Sequence, residues 1–480
     1  MKKRLRRLLT TTLAAVAIVL VAASLIKSPA GQAPSGTPSA PKYIFIFLAD
    51  GGGTTQMEIT RQYNRYIHNE GLAIIDKIIK QGTLGLLTTH AGDFLSTDSA
   101  AAATALASGC KGKNAVLSIC ADGSVPKTVM EVAKEKGMRV GLVTNAPIYD
   151  ASPAAFISHV ENRRNYSAIL DQYLKMAPDL LLGGGRDYFL PKGQVGGERK
   201  DEVDLIKAFV SKGYQYVSDK NELERIKQGK VLGLFSLQDM SFEIDRDKKT
   251  EPSVYDMTEA AIRVLNNGNS RGFVVFIESE NVDTAGHLND VASVIHDYRE
   301  FDRAVGLAYE FYRNHPQETL ILVTADHETG GLGFTQGLIN FTSTAAANRV
   351  AATAEDYKRI QSIPISLRKA SEILGPNPTG EAIDNLMKEY FQGFTLAPEL
   401  KELIIKRQPL SRTIFYNPTT NALGMMIAHN IQAYWSTSGH TNQPVFIAAL
   451  GPGAEKFKGY QDNSDFGKNL KALLERNKSH

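Results

Sequence analysis

Short, unbroken apolar runs punctuate the chain, and many of them end in an acid, a histidine or a cluster of glycines. Residues 43–48 are all apolar and lead into Asp50, Gly51, Gly52 and Gly53. A continuous apolar run, rather than strict alternation, predicts a strand buried on both faces. The same pattern predicts strands at 84–89, 139–144, 180–182, 231–235, 272–278, 319–324 and 444–450. Between them lie stretches with helical spacing at 127–136, 253–267, 290–313 and 462–476. At 97–105 a Thr97-Asp98 cap precedes Ser99 and a run of alanines, the best helix formers, so Ser99 falls in the first turn of a helix. Strands alternating with helices predict an α/β fold: a large, mostly parallel central sheet covered by helices on both faces. The rhythm breaks at 333–437, where a Thr/Ala-rich segment (343–352) and a helical stretch (354–391) read as an insertion that caps the site or builds an oligomer surface.

Composition changes this picture mainly at the N-terminus. The chain has 480 residues and a formal charge of +3. Six of its basic residues, Lys2, Lys3, Arg4, Arg6, Arg7 and Lys27, lie in the first 27 positions, and +3 less those six leaves a body at −3. No nucleic-acid partner is implied. Residues 1–7 are basic and 8–26 apolar or small, which reads as an export signal with cleavage near Ala22, Ala23 and Ser24. The competing reading is an uncleaved N-terminal anchor, the one route to membrane association, since this apolar stretch nearly spans a bilayer. Export places the protein in the periplasm or outside the cell. Residues 27–41, rich in Pro, Ser and Gly, read as a flexible linker before a catalytic domain over 42–480. Cys110 and Cys120 are the two cysteines, and in an exported chain they suggest one local disulfide; free thiols are the alternative.

The acids and imidazoles beyond the strand ends carry the candidate chemistry. They are Asp50, Glu278, Asp283, His287, Asp326, His327 and His440. Singly, each is an ordinary turn acid or core histidine. Jointly they sit where open α/β sheets bind ligands, beyond the carboxyl ends of strands. Asp283 and His287 are four apart, which places them on one helical face. Mixed Asp/His donors suit zinc, and carboxylates suit magnesium. A Ser-based sulfatase would need a Cys/Ser-x-Pro-x-Arg run, and Ser99 is followed by four alanines.

These blocks, taken in order, resemble the alkaline phosphatase family from about residue 42 to 460. The resemblance rests on Asp50-Gly51-Gly52, Thr97-Asp98-Ser99-Ala100-Ala101, Asp150-Ala151-Ser152-Pro153 through Arg163, and Leu182 to Tyr188. Glu278 through His287, Thr324-Ala325-Asp326-His327 and Gly439-His440-Thr441 complete it. It implies an exported phosphomonoesterase that hydrolyses small phosphate monoesters through a phosphoserine on Ser99, with two zinc ions and one magnesium ion. Asp283, His287 and His440 would hold one zinc. Asp50, Asp326, His327 and Ser99 would serve the second, and Asp50, Asp150, Ser152 and Glu278 the magnesium. Arg163, steered by Asp98, would clamp the phosphate, with Arg164 the neighbouring alternative. A homodimer is a further family expectation. Ser152 stands where the family usually has Thr, and Thr284 and Asn442-Gln443 also depart from its pattern.

Overall fold

The computed structural model describes residues 40–339, 342, 345–411 and 417–475. The expected export segment, the linker up to residue 39, and residues 343 and 344 of the Thr/Ala-rich segment lie outside the described residues. Ten strands form one sheet. In chain order they are β1 (Tyr43–Ala49), β2 (Thr83–Leu87), β3 (Arg139–Pro147), β4 (Leu180–Gly184) and β5 (Tyr214–Val217), followed by β6 (Lys230–Leu234), β7 (Phe273–Ser279), β8 (Thr319–Thr324), β9 (Val445–Leu450) and β10 (Gly459–Gln461). Across the sheet they run β10-β2-β9-β8-β1-β7-β3-β4-β6-β5. Every pairing is parallel except the two made by β9, which is antiparallel to both β2 and β8.

The apolar runs behave as their pattern requires. β1, β7 and β8 are buried at every residue. Alternate side chains enter two separate cores, one on each face of the sheet. Ile44, Ile46, Leu48, Val274, Phe276 and Leu322 pack on one side, while Phe45, Phe47, Val275, Ile277 and Val323 pack on the other. Burying each such side chain contributes about 1.5–3 kcal/mol, so both faces must be covered. The long helix Val291–Asn314, capped by Asp290, and the helix Val254–Asn266, capped by Ser253, help cover one face. The helix Ser99–Ser108 and the C-terminal helix Asn463–Glu475 lie on the other.

The insertion enters and leaves through a single ladder that pairs Leu332 with Trp435 and Phe334 with Ala433. Its expected helical stretch is three helices, Ala354–Gln361, Leu367–Leu374 and Gly380–Tyr390. Pro364, and then Gly375, Pro376 and Pro378, prevent one continuous helix. Two more helices, Pro398–Lys406 and Pro418–Ile431, complete an apolar core of its own, in which Tyr357, Leu367, Ile404 and Met426 pack with Ile59, Tyr63 and Ile295.

Candidate active site

The parallel strands deliver their C-terminal ends to one edge of the sheet, and the candidate residues collect there. Asp50 follows β1, Asp150 follows β3, Glu278 is the last residue but one of β7, and Asp326 and His327 follow β8. His440 precedes β9. Because β9 runs antiparallel, with Ile447 opposite Thr324, its start lies at the same edge as the ends of the others. A second ladder pairs His440 with Thr329 and Thr441 with Glu328, which fixes the His440 segment against the turn after β8.

Ser99 is the first residue of its helix. Asp98 is the N-cap, accepting from Ala101 N–H at 2.9 Å. All ten residues of the helix are buried. Its small side chains allow close packing, and a Cβ added to Gly467 of the C-terminal helix would come within 2.6 Å of Gly109 N. Ser99 Oγ lies 3.4 Å from His327 Nε2. Gly51, at φ +65°, lets the backbone after Asp50 approach the site, since a Cβ there would meet Asp283 Oδ1 at 2.6 Å.

Two sets of donor atoms are tight enough to share an ion, Asp283 with His327 and His440, and Asp50 with Asp326 and His327. His287 joins the first set closely, its Nε2 lying 3.1 Å from Asp283 Oδ2 and 3.0 Å from His440 Nε2. His287 Nδ1 donates to the Ser438 carbonyl at 2.6 Å and His440 Nδ1 to the Thr97 carbonyl at 2.7 Å. In neutral rings those bonds leave both Nε2 atoms as lone-pair donors directed at one another, an arrangement that suits a shared cation. In the second set, one oxygen each of Asp50 and Asp326 is buried and accepts no hydrogen bond among the described residues.

Around Asp50 the oxygen-rich side of the site takes shape. Ser152 Oγ donates to Asp50 Oδ2 at 3.2 Å. Glu278 accepts from Thr144 Oγ1 at 2.6 Å on one oxygen, and its other oxygen is buried and meets the criteria for no hydrogen bond among the described residues. Asp150 is turned towards Arg163, whose Nη2 lies 3.2 and 3.4 Å from its two oxygens. Arg163 Nη1 donates to Asp98 Oδ2 at 3.3 Å, so two carboxylates hold the guanidinium. Arg163, and not Arg164, lines the cavity at this edge, a space of about 410 Å³.

Charge reinforces the geometry. Burial, with Asp326, Asp283 and Glu278 adding repulsion, raises the Asp50 carboxyl well above its usual range. Burial chiefly raises Glu278, and it lifts Asp326 to about 7. Burial also opposes ionisation of Asp283, but His287, His440 and His327 outweigh it and hold that carboxyl low. Burial pushes His327 down, helped by its neighbour His440. Clustered buried carboxyls repel one another, and a cation among them would relieve that repulsion.

Several contributors escape a reading of the sequence. Thr329 Oγ1 bonds Asp283 Oδ1 and lies 3.2 Å from His327 Nδ1. Glu328 gathers Gln56, Gly331 and Thr441. Asp239 and Tyr149 line the cavity wall. The adjacency of Glu328 and Thr329 to His327 is a signal present in the sequence; Gln56 and Asp239 carry none. Cys110 and Cys120 form a disulfide in the loop that follows the Ser99 helix. Among the described residues, no helix is long and apolar enough to cross a membrane.

Known proteins share the sequence and the fold of this chain. Residues 41–476 match the family model for alkaline phosphatase. Alkaline phosphatase 3 of Bacillus subtilis strain 168 is 32% identical over 469 residues, covering 95% of this chain and 94% of that protein. The crystal structure of Thermus thermophilus alkaline phosphatase superposes with a TM-score of 0.79 at 26% identity, covering 94% of this chain and 96% of that one. A cold-active alkaline phosphatase from Shewanella sp. gives 0.72 at 30% identity, over 90% and 99% of the two chains. The family match over residues 41–476 and 32% identity across nearly the whole of both chains show that the chain belongs to the alkaline phosphatase family of metal-dependent phosphomonoesterases.

Proposed function

We propose that this phosphomonoesterase works through a covalent phosphoserine on Ser99, in an exported enzyme carrying two zinc ions and one magnesium ion. The observation that carries the reading is Ser99 Oγ at 3.4 Å from His327 Nε2, beside buried oxygens of Asp50 and Asp326 that accept no hydrogen bond among the described residues and lie 3.5 and 3.2 Å from the same nitrogen. Such oxygens are costly to bury unless a cation completes them. The donor sets fit. Asp283, His287 and His440 would hold one zinc and Asp50, Asp326 and His327 the other, with nitrogen and oxygen donors that zinc favours. Asp50, Asp150, Ser152 and Glu278 offer oxygen alone, as magnesium prefers. When bound, the ions lower the pKa of the serine hydroxyl and neutralise charge on the phosphoryl group.

The residues then divide the work. Ser99 Oγ attacks phosphorus opposite the ester oxygen. The P–O bond to the alcohol breaks, the alcohol leaves with a proton, and the phosphoryl group stays on Ser99. Water attacks the same phosphorus, the Oγ–P bond breaks, and Ser99 recovers a proton as inorganic phosphate departs. Arg163, held by Asp98 and Asp150, presents its planar fork to two phosphoryl oxygens. The first-turn N–H groups of the Ser99 helix add positive potential at the same place. The disulfide supports export, because such bonds persist in oxidising compartments. Recovery of the enzyme outside the cytoplasmic membrane checks that part.

The test is turnover of p-nitrophenyl phosphate together with acid-quenched labelling by a ³²P-phosphate ester. Ser99→Ala should lose both label and turnover, the latter by at least about a thousandfold. Turnover within tenfold of wild type, or label on a peptide that lacks Ser99, would refute the serine mechanism.

A further inference from the structure

A second cavity adjoins the active site, and the insertion builds much of it. Gln238 and Asp239 line both spaces. The outer one, about 930 Å³, is also lined by Arg368, Ser371, Arg407, Asn417 and Thr419. Arg368 lies in the first turn of the insertion helix Leu367–Leu374. Its guanidinium stacks 4.4 Å from the Phe242 ring centroid and sits 3.8 Å from Asp239 Oδ2, and it donates no hydrogen bond among the described residues.

The two cavities differ in charge. Asp50, Asp98, Asp150, Asp187, Glu280 and Asp283 line the inner one, against the single guanidinium of Arg163. A second anionic group on a substrate is repelled by those acids. The outer cavity offers Arg368 and Arg407, and its Glu372 is engaged by Lys369 at 3.3 Å. The Asp239 contact to Arg368 is longer than a hydrogen bond, so it holds the guanidinium without occupying its fork. Stacking on Phe242 fixes the side chain in advance, which reduces the ordering cost of binding.

We infer that the outer cavity receives the alcohol portion of the substrate, and that Arg368 selects phosphate monoesters whose alcohol carries a second anionic group. The inference rests on the phosphomonoesterase chemistry of the inner cavity. An incoming phosphate or carboxylate takes the free fork of Arg368 while the scissile phosphate meets Arg163.

Fructose 1,6-bisphosphate and fructose 6-phosphate provide the test, since they differ by one phosphate. The wild-type enzyme should favour the bisphosphate in kcat/KM. Arg368→Ala should lower that preference about tenfold or more, through KM, as expected for loss of a charge-assisted pair. Arg368→Lys should retain part of it, because charge stays while the fork is lost. Arg368→Gln, which keeps the stem over Phe242, decides if the alanine variant does not fold. An unchanged preference in Arg368→Ala or Arg368→Gln, or an equal fall for both sugars, overturns the inference and leaves Arg368 a structural partner of Asp239. Failure of the wild-type enzyme to turn over p-nitrophenyl phosphate would instead remove the phosphatase chemistry, and the subsite with it.

Discussion

Replacing Glu328 with alanine should loosen the site although Glu328 lines no part of the cavity. Its carboxylate is buried and accepts from Gln56 Nε2 at 2.5 Å, Gly331 N at 2.9 and 3.2 Å, and Thr441 Oγ1 at 2.5 Å. In the alanine variant Gln56 keeps its bond to the Thr329 carbonyl at 2.9 Å. Gly331 N–H and the Thr441 hydroxyl lose their acceptor, and each orphaned donor costs about 1–3 kcal/mol. Both residues are partly exposed, so water softens the loss and the sum is about 2–4 kcal/mol. That is a large share of the roughly 5–15 kcal/mol that keeps a domain folded. The local effect is on His440, which precedes Thr441 and pairs with Thr329 in the same two-residue ladder. The assays are the urea unfolding midpoint and the metal retained after dialysis against graded chelator. Glu328→Ala should shift the midpoint down by that free energy and release metal at about tenfold lower chelator. Glu328→Gln, matched in shape, should fall between. If the midpoint holds, the bonds carry no weight. If it falls while metal retention is unchanged, His440 is positioned by other contacts.

Three more outcomes follow from other parts of the molecule. Cys110→Ser or Cys120→Ser should lower stability by about 3 kcal/mol on a chain-entropy argument for so short a loop, read as a lower thermal inactivation midpoint that reductant does not lower further. Removing metal by chelation should lower the melting temperature as well as abolish turnover, since each ion at a thousand times its Kd contributes about 4 kcal/mol; full activity in a verified metal-free enzyme would contradict the proposed site. The third concerns pH. The Glu131 bond at 3.0 Å holds His159 above its ordinary value against burial, while burial raises Glu131 but its bonds to His159 and Thr128 win and hold it low. The His159 contribution is present below about pH 6.5 and lost as pH rises through its folded value. The Glu131 contribution is present above about pH 4.3 and lost as pH falls through its folded value. Glu131→Gln should therefore cost more stability near about pH 5.5 than near about pH 9, and equal costs at both would show the pair to be inert.

Much of this architecture is legible before any coordinates. Unbroken apolar runs locate β1, β7 and β8, because a strand buried on both faces cannot afford alternation. Asp290, Ser253 and Asp98 announce the helices they cap. Other elements escape for definite reasons. β10 is three residues long, and its place at the sheet edge demands no apolar run. The insertion helices Pro398–Lys406 and Pro418–Ile431 bury their faces against each other and a distant helix, so their sequences lack the neighbouring strands that mark the rest. Of the site, the candidate metal ligands stand at strand ends and are legible there, whereas Thr329, Glu328 and Asp239, and the turning of Asp150 towards Arg163, depend on contacts between distant segments.

The sequence alone determined which residues stand at the strand ends and which chemistry those donors suit, because burial pattern and donor type are local properties. Which of these residues meet is a property of the assembled sheet. The antiparallel course of β9 brings His440, more than a hundred residues beyond His327, to the same edge. The two-residue ladder to Thr329 then sets its ring 3.6 Å from that of His327. Closing the insertion places Arg368 beside Asp239 and turns an active-site wall into a boundary between two cavities. Strand direction and loop closure depend on how the whole sheet pairs, and no single segment encodes that pairing.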